Sequence, residues 1–363
     1  MSDTWISFNG NALSLNGYGL VVRGQNPYNP LNLPNATIRF QFSDLSYDPT
    51  QVSGWKTGTA WTQVSTTPNI WDCYYDSSTY TNAFTAKFID NANLVSILGA
   101  NLNDVTTMSY CFEGCSSLSS IGYMYTPSVG TFNSAFHNCT KLQSVDGILT
   151  SSASDLQSMY NNCSALLAIP SDMDTSAAIS MTRAFASCSS LRSIPLLNTG
   201  NVLNLSGLFD GCYQLSSIPA LDTSNATNLS SYAKGCSSLV SVPTMDCGNC
   251  TNFNSMFSGC TSLETAPVLG STRKGVNFNN MFYRCSNMGS IPSLITDNAA
   301  DVGGMFKECY KVSSGSLALY TQMSSQAFPP SSHGDCFKYC GRDTTTGAAE
   351  LAQIPTSWGG TMA

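Results

Sequence analysis

The chain has 363 residues, with 15 Lys and Arg against 22 Asp and Glu, for a net charge of −7 at pH 7. Phosphate recognition needs a basic stripe, so this balance excludes nucleic acid as a partner, and no apolar run is long enough to insert in a membrane as a helix. Only 10% of residues are charged while 42% are hydrophobic, a composition that argues against disorder.

Residues 1–80 read as β. Ile38, Phe40 and Phe42 alternate, as do Leu13 and Leu15, between Gly10, Gly17, Gly19, Gly24, Pro27, Pro30 and Pro34. Trp5, Trp55, Trp61 and Trp71 concentrate here. They admit either sugar stacking or core packing, and core packing is the simpler reading. The segment is expected to be a small β-rich module that caps the rest of the chain or attaches it to a larger assembly, including a homo-oligomer. The first residues show neither a basic n-region nor an apolar h-region, so no signal peptide is expected.

Nine cysteines then recur at 24 or 25 residues: Cys115, Cys139, Cys163, Cys188, Cys212, Cys236, Cys260, Cys285 and Cys309. So steady a period is the signature of a stacked-repeat solenoid. With each cysteine as position 0, position −3 holds Phe112, Phe136, Tyr160, Phe185, Phe209, Phe257, Phe282 and Phe306, with Ala233 the small exception. Position −4 includes Met159, Leu208, Tyr232 and Met256, and position −7 includes Met108, Leu156, Leu205 and Phe253. Offsets of −7, −4, −3 and 0 form the stripe of one helical face, so the spacing predicts a short helix of about two turns in each repeat.

After the cysteine, Leu118, Leu142, Leu166, Leu191, Leu215, Leu239 and Leu263 stand at +3. An Ile or Val follows at +6, usually before a proline such as Pro170, Pro195, Pro219 or Pro243. Proline gives no N–H to a ladder, so this limb is a very short extended segment. The next stretch, such as Asp222-Thr223-Ser224-Asn225, carries helix N-cap residues. Extended limbs sit about 4.8 Å apart and helices about 8–10 Å apart, which would bend the stack with helices outside. One repeat cannot fold alone, so both ends need caps. Phe84, Phe88, Leu94 and Ile97 surround Asn91 as a degenerate first repeat over 81–104, and nine repeats complete a solenoid over 81–312. Cys336-Phe337-Lys338-Tyr339-Cys340 echoes Cys111 to Cys115, so 313–363 reads as a C-terminal capping repeat closed by Ile354, Pro355 and Trp358.

The phrase running from Leu208-Phe209-Asp210-Gly211-Cys212 to Asn225, and again from Met256, resembles the BspA-like class of leucine-rich repeats in its mycoplasma-lipoprotein variant. The resemblance implies an α/β solenoid, a right-handed superhelix of leucine-rich repeats, and roles in adhesion or interaction. The ending Cys336 to Gly341, followed by Thr344 to Leu351, looks like one common in proteins of gut Bacteroidetes phages and prophages.

Little in the chain offers catalysis. His137 reads as an outward polar residue and His333 lies in the capping insertion; no phosphate loop or nucleophile elbow is present. The nine cysteines point the same way from successive turns, so buried free thiols are expected rather than bridges. Cys247 and Cys250 form a lone C-x-x-C without the second pair that zinc would need, leaving a local disulfide or inert thiols. No cofactor, metal or catalytic residue is therefore expected. Tyr123, Tyr125, Tyr213, Tyr283 and Tyr310 are non-core aromatics that could contact a partner. The expected function is a non-enzymatic structural or recognition protein at a virion surface, such as a phage fibre or decoration protein on head or tail. Its partners would be other virion proteins or a host-cell protein or glycan. A secreted bacterial surface adhesin and an intracellular interaction scaffold are the alternatives.

Overall fold

The computed structural model describes residues 31, 33–34, 37–51, 60–74 and 88–362, and the backbone of three strands before them. Those strands, β1 (Thr4–Phe8), β2 (Asn11–Asn16) and β3 (Gly19–Val22), form an antiparallel meander. Phe84 and Trp55, and the side chains of Trp5, Leu13 and Leu15, lie outside the described residues.

A second sheet carries β4 (Thr37–Phe42), β5 (Ala60–Thr66), β6 (Asn69–Tyr74) and β7 (Leu94–Asn101), with the two-residue strands β8 (Ser120–Ile121), β9 (Met124–Tyr125) and β10 (Ser144–Val145). The main path runs β10-β8-β7-β4-β6-β5, and β9 pairs with β7. β4 lies antiparallel to β7, with Phe40 opposite Ile97, while β7 is parallel to β8. Strand β4 thus occupies the open edge of the first coil, where unpaired backbone would otherwise be exposed, and β6 and β5 extend the sheet beyond it. Phe40 packs against Phe88 with ring centroids 4.6 Å apart, and Trp61 against Phe88 at 6.1 Å. Trp71 is buried and donates to Asn69 Oδ1 at 2.7 Å, so its ring serves the core.

From residue 107 one parallel column of single bridges runs through Thr131, Asp155, Ser180, Asn204, Asn228, Asn252, Asn277 and Asp301 to Ser332. Each step is one coil of the chain. The helix expected in each repeat is not there: the only α-helices among the described residues are α1 (Ser316–Ser324) and α2 (Thr345–Leu351), both after the last ruler cysteine.

Consecutive tight turns replace the expected helix. Cys111 N–H bonds Met108 O, Cys115 N–H bonds Phe112 O, and Leu118 N–H bonds Cys115 O at 3.0–3.2 Å. First and fourth residues of successive four-residue turns fall at −7, −4, −3, 0 and +3. That is the spacing of a helical stripe, produced by a different backbone. The third residue of the first two turns has φ between +54° and +78° throughout the array, at positions −5 and −1, as a type II turn demands. Between these bonds the N–H groups at −7, −5, −3 and −1 reach the next coil, as in Phe112 to Ala135 O and Gly114 to His137 O, at 2.9 and 2.7 Å. A helix would have kept those donors to itself. Without helices, the spacing mismatch expected to bend the stack with helices outside has no basis either.

The proline limb behaves as its chemistry requires. Paired strands occur where Gly122 and Asp146 follow the apolar residue at +6. Coils with proline there retain at most an isolated bridge, as at Ala168–Ser193 and Ser217–Ser241. Asp222, expected to cap a helix, instead accepts from Ser224 N–H at 2.9 Å in an Asx turn.

The interior is a set of parallel columns. Rings at −3 stack face to face from Phe112 through Phe136, Tyr160 and Phe185 to Phe209, at 5.5–6.1 Å. Ala233 would break the column, but Tyr232 beside it fills the gap edge-on, 5.6 Å from Phe209 and 6.4 Å from Phe257. Stacking resumes through Phe282 and Phe306 to Phe337. Each such buried ring contributes roughly 1.5–3 kcal/mol. Phe337 N–H bonds Trp358 O at 2.9 Å, and the buried Trp358 lies flat on His333 at 4.2 Å, so the last coil ends under an aromatic lid.

Candidate recognition surface

The cysteines belong wholly to the interior. All nine ruler thiols are buried and donate to the carbonyl at position −3 of the preceding coil, from Cys115 to Phe88 O through Cys309 to Phe282 O, at 2.7–3.2 Å. Burial pushes these thiols up, Cys115, Cys212 and Cys260 to about 12, so they stay protonated and unreactive. Asn91 solves the same problem in reverse, accepting from Asn93 and Leu94 N–H. A second column of buried hydroxyls ties the opposite limb: Thr126, Thr150, Thr175, Thr199, Thr223 and Thr272 each donate to a carbonyl one coil on, at 2.7–2.9 Å.

Cys247 stands in that threonine column, and Cys250 in the place of Val202 and Ala226. Both are free and buried, so the C-x-x-C is two substitutions in a structural turn. Among the described residues no group of three His, Cys, Asp or Glu is arranged to hold a metal ion, and no helix is long and apolar enough to cross a membrane. His137 pairs with Glu113 at 2.9 Å on the outer face.

Outside, the repeated positions carry short polar groups. Asn201, Asn225, Asn249 and Asn298 each donate to a backbone carbonyl of the previous coil, at 2.7–2.9 Å. The five tyrosines do not converge as a set. Tyr123 and Tyr125 are half-buried on the first full coil, with the Tyr123 ring against Gly147. Tyr213 is exposed four coils before Tyr310, roughly 19 Å at the usual strand spacing. Only Tyr283 and Tyr310 meet, both directed at Glu308, at 3.5 and 3.2 Å.

Around that pair the surface changes character. Arg284 bonds Glu308 at 2.8 Å and lies over the Tyr283 ring, while the Arg342 guanidinium sits 4.2 Å from the Tyr310 ring and 5.1 Å from that of Tyr339. Lys307 and Lys338 share Asp335 at 2.8 and 3.3 Å. Burial opposes ionisation of Glu308, but Arg284 outweighs it and holds the carboxyl below its usual range; Lys307 does the same for Asp335. Four cations thus face three anions, counting Asp343 beside Arg342, in a chain whose overall balance is acidic. A cavity of about 210 Å³ adjoins the cluster, lined by Asp335, Lys338, Tyr339 and the terminal loop Thr356 to Thr361. Sequence reading picks out Tyr283 and Tyr310 but not the charged residues around them, although seven of the fifteen Lys and Arg fall from Arg273 to Arg342. A second cavity, about 290 Å³ between the last coils and α1, is lined by Pro292, Leu294, Leu319 and other uncharged residues.

The family described as "Mycoplasma protein of unknown function, DUF285" matches residues 79–195, 179–265 and 203–318. No curated protein matches the chain. Among solved structures it is similar to a leucine-rich repeat protein from Eubacterium ventriosum, at 15% identity over 60% of this chain and 59% of that one, with a TM-score of 0.36. It is also similar to the T. pallidum leucine-rich repeat protein TpLRR, at 17% identity over 65% of this chain and 86% of that one, with a TM-score of 0.26.

Proposed function

The chain belongs to this family of BspA-like leucine-rich repeats, and from that premise we propose that it is a non-enzymatic recognition protein displayed outside the cell that makes it. The observation that carries the reading is the unbroken column of bridges from Thr107 to Ser332. Thiols and most large rings are consumed in holding successive coils together, and what remains outside is a stiff array of short polar side chains. Among the described residues such a surface offers length, regularity and fixed spacing for contact with another surface. The coil is read as right-handed, the sense that parallel crossovers take.

The finer reading is an appendage or decoration protein of a phage particle that contacts host protein or glycan. It is supported by the likeness of Cys336 to Gly341 and the following residues to phage-borne endings. Binding of the purified protein to host-type cells and to a glycan array tests the recognition role, and mass spectrometry of purified particles tests the location. Absence of binding to any cell or glycan surface would remove the first. Recovery only from bacterial envelopes would move the protein to a cell-surface adhesin.

A further inference from the structure

Position −1 of each coil requires a positive φ, and upstream it is filled by Gly or Asn, which adopt one readily, at Gly114, Asn138, Asn162, Gly211, Gly235 and Gly259, with the small Ser187 the exception. In the last three coils the same backbone angle, +62° to +64°, is imposed on Arg284, Glu308 and Tyr339. The inter-coil backbone bonds do not call for these side chains, because the same bonds form at Gly211 and Gly235, and the Arg284–Glu308 pair across adjacent coils is largely exposed on its arginine side. Large side chains at a left-handed angle also occur at −5, at Tyr110 and Arg183, but in the last coils they stand together with the cation–ring contacts and adjoin a cavity.

We propose that the outer face of the last three coils, centred on Arg284, Tyr310, Tyr339 and Arg342 and opening into the cavity beside Lys338, binds an acidic saccharide. This rests on the recognition role proposed above and names its ligand class. The faces of Tyr310 and Tyr339 turned away from Arg342 would meet a sugar's C–H surface, and the guanidinium N–H groups not engaged by Glu308 and Asp343 would donate to a carboxylate. The excess of cations here, in an otherwise acidic chain, favours an anionic ligand over a neutral one. The small cavity next to Lys338 suits one sugar ring, not an extended peptide.

The test is calorimetric titration of the whole protein with an oligogalacturonate, its methyl-esterified form and poly-glutamate. The charged saccharide is expected to bind and to weaken with salt, and both other probes to bind far less. The variant Arg284→Gly combined with Arg342→Ala is expected to lose roughly tenfold or more in affinity, as for a lost charge-assisted hydrogen bond. Its melting temperature should change little, since relief of the backbone angle by Arg284→Gly offsets loss of the exposed pair with Glu308. No binding of the oligogalacturonate, equal binding of the ester or of poly-glutamate, or full affinity in the variant would each overturn the site. Cell or glycan-array binding that persists in the variant would leave the recognition role standing and overturn only this placement of it.

Discussion

The sixth coil allows the ring column to be rewired. There Tyr232 occupies the −4 slot that Leu208 and Met256 fill on either side, and Ala233 occupies the −3 slot of Phe209 and Phe257. Ala233→Phe alone would force a second ring against the buried Tyr232, which touches Phe209 and Phe257 edge-on; overpacking of this kind costs about 1–3 kcal/mol. Tyr232→Leu alone removes most of a fully buried ring and leaves a gap in the column, a loss of about 2–4 kcal/mol. Together the two substitutions restore the neighbours' pattern and nearly conserve volume, so the double variant should lie within about 1.5 kcal/mol of the parent. The expected coupling is therefore about 2 kcal/mol or more in favour of the pair. Urea unfolding of the four proteins, followed by tyrosine and tryptophan fluorescence and by circular dichroism, gives the cycle. Additive effects, with coupling below about 0.5 kcal/mol, would refute the idea that Tyr232 stands in for the missing −3 ring.

Three further outcomes follow from the columns. Because burial raises the ruler thiols above their ordinary value, in some cases to about 12, the unfolded chain releases protons first as pH rises. Stability is then fully present below about pH 8.5 and falls between about pH 9 and 12, by up to about 1.4 kcal/mol per pH unit for each thiol, which alkaline titration with circular dichroism would record. Thr223→Val removes the bond to Asp246 O and should cost about 1–2 kcal/mol, whereas Cys247→Thr restores a hydroxyl to the same column and should gain up to about 1 kcal/mol; denaturant midpoints measure both. Gly259→Ala places a Cβ no nearer than 3.5 Å to its neighbours, yet at φ +78° it should still cost about 1 kcal/mol, a purely conformational effect visible in the thermal midpoint.

The sequence made the coil legible through what the interior repeats. The cysteine at 0, the ring at −3 and the leucine at +3 are buried in coil after coil, as their period implies. Turn corners and one helical face share the offsets −7, −4, −3 and 0, so the spacing points to a helix that the backbone does not form. The distinguishing signal sat in the residues between them: Gly, Asn and Ser at −1 mark a left-handed backbone that no helix interior adopts. The Asx bonds of Asp222 and Asn228 likewise use helix-cap residue types for turns, so composition alone could not separate the two. The Arg284–Tyr310–Arg342 cluster was half legible. Tyr283 and Tyr310 stood out as aromatics off the core columns, but their convergence depends on the coil bringing 283, 308 and 339 together, which no local pattern displays.

Residue-resolved alkylation of the native protein tests the stacked interior most directly. Every ruler sulfur from Cys139 to Cys285 should label only as fast as the array unfolds, so that labelling rates rise in step with denaturant. Modification of any of them in buffer alone, at the speed of an exposed thiol, would show that the carbonyl-bonded sulfur column does not exist.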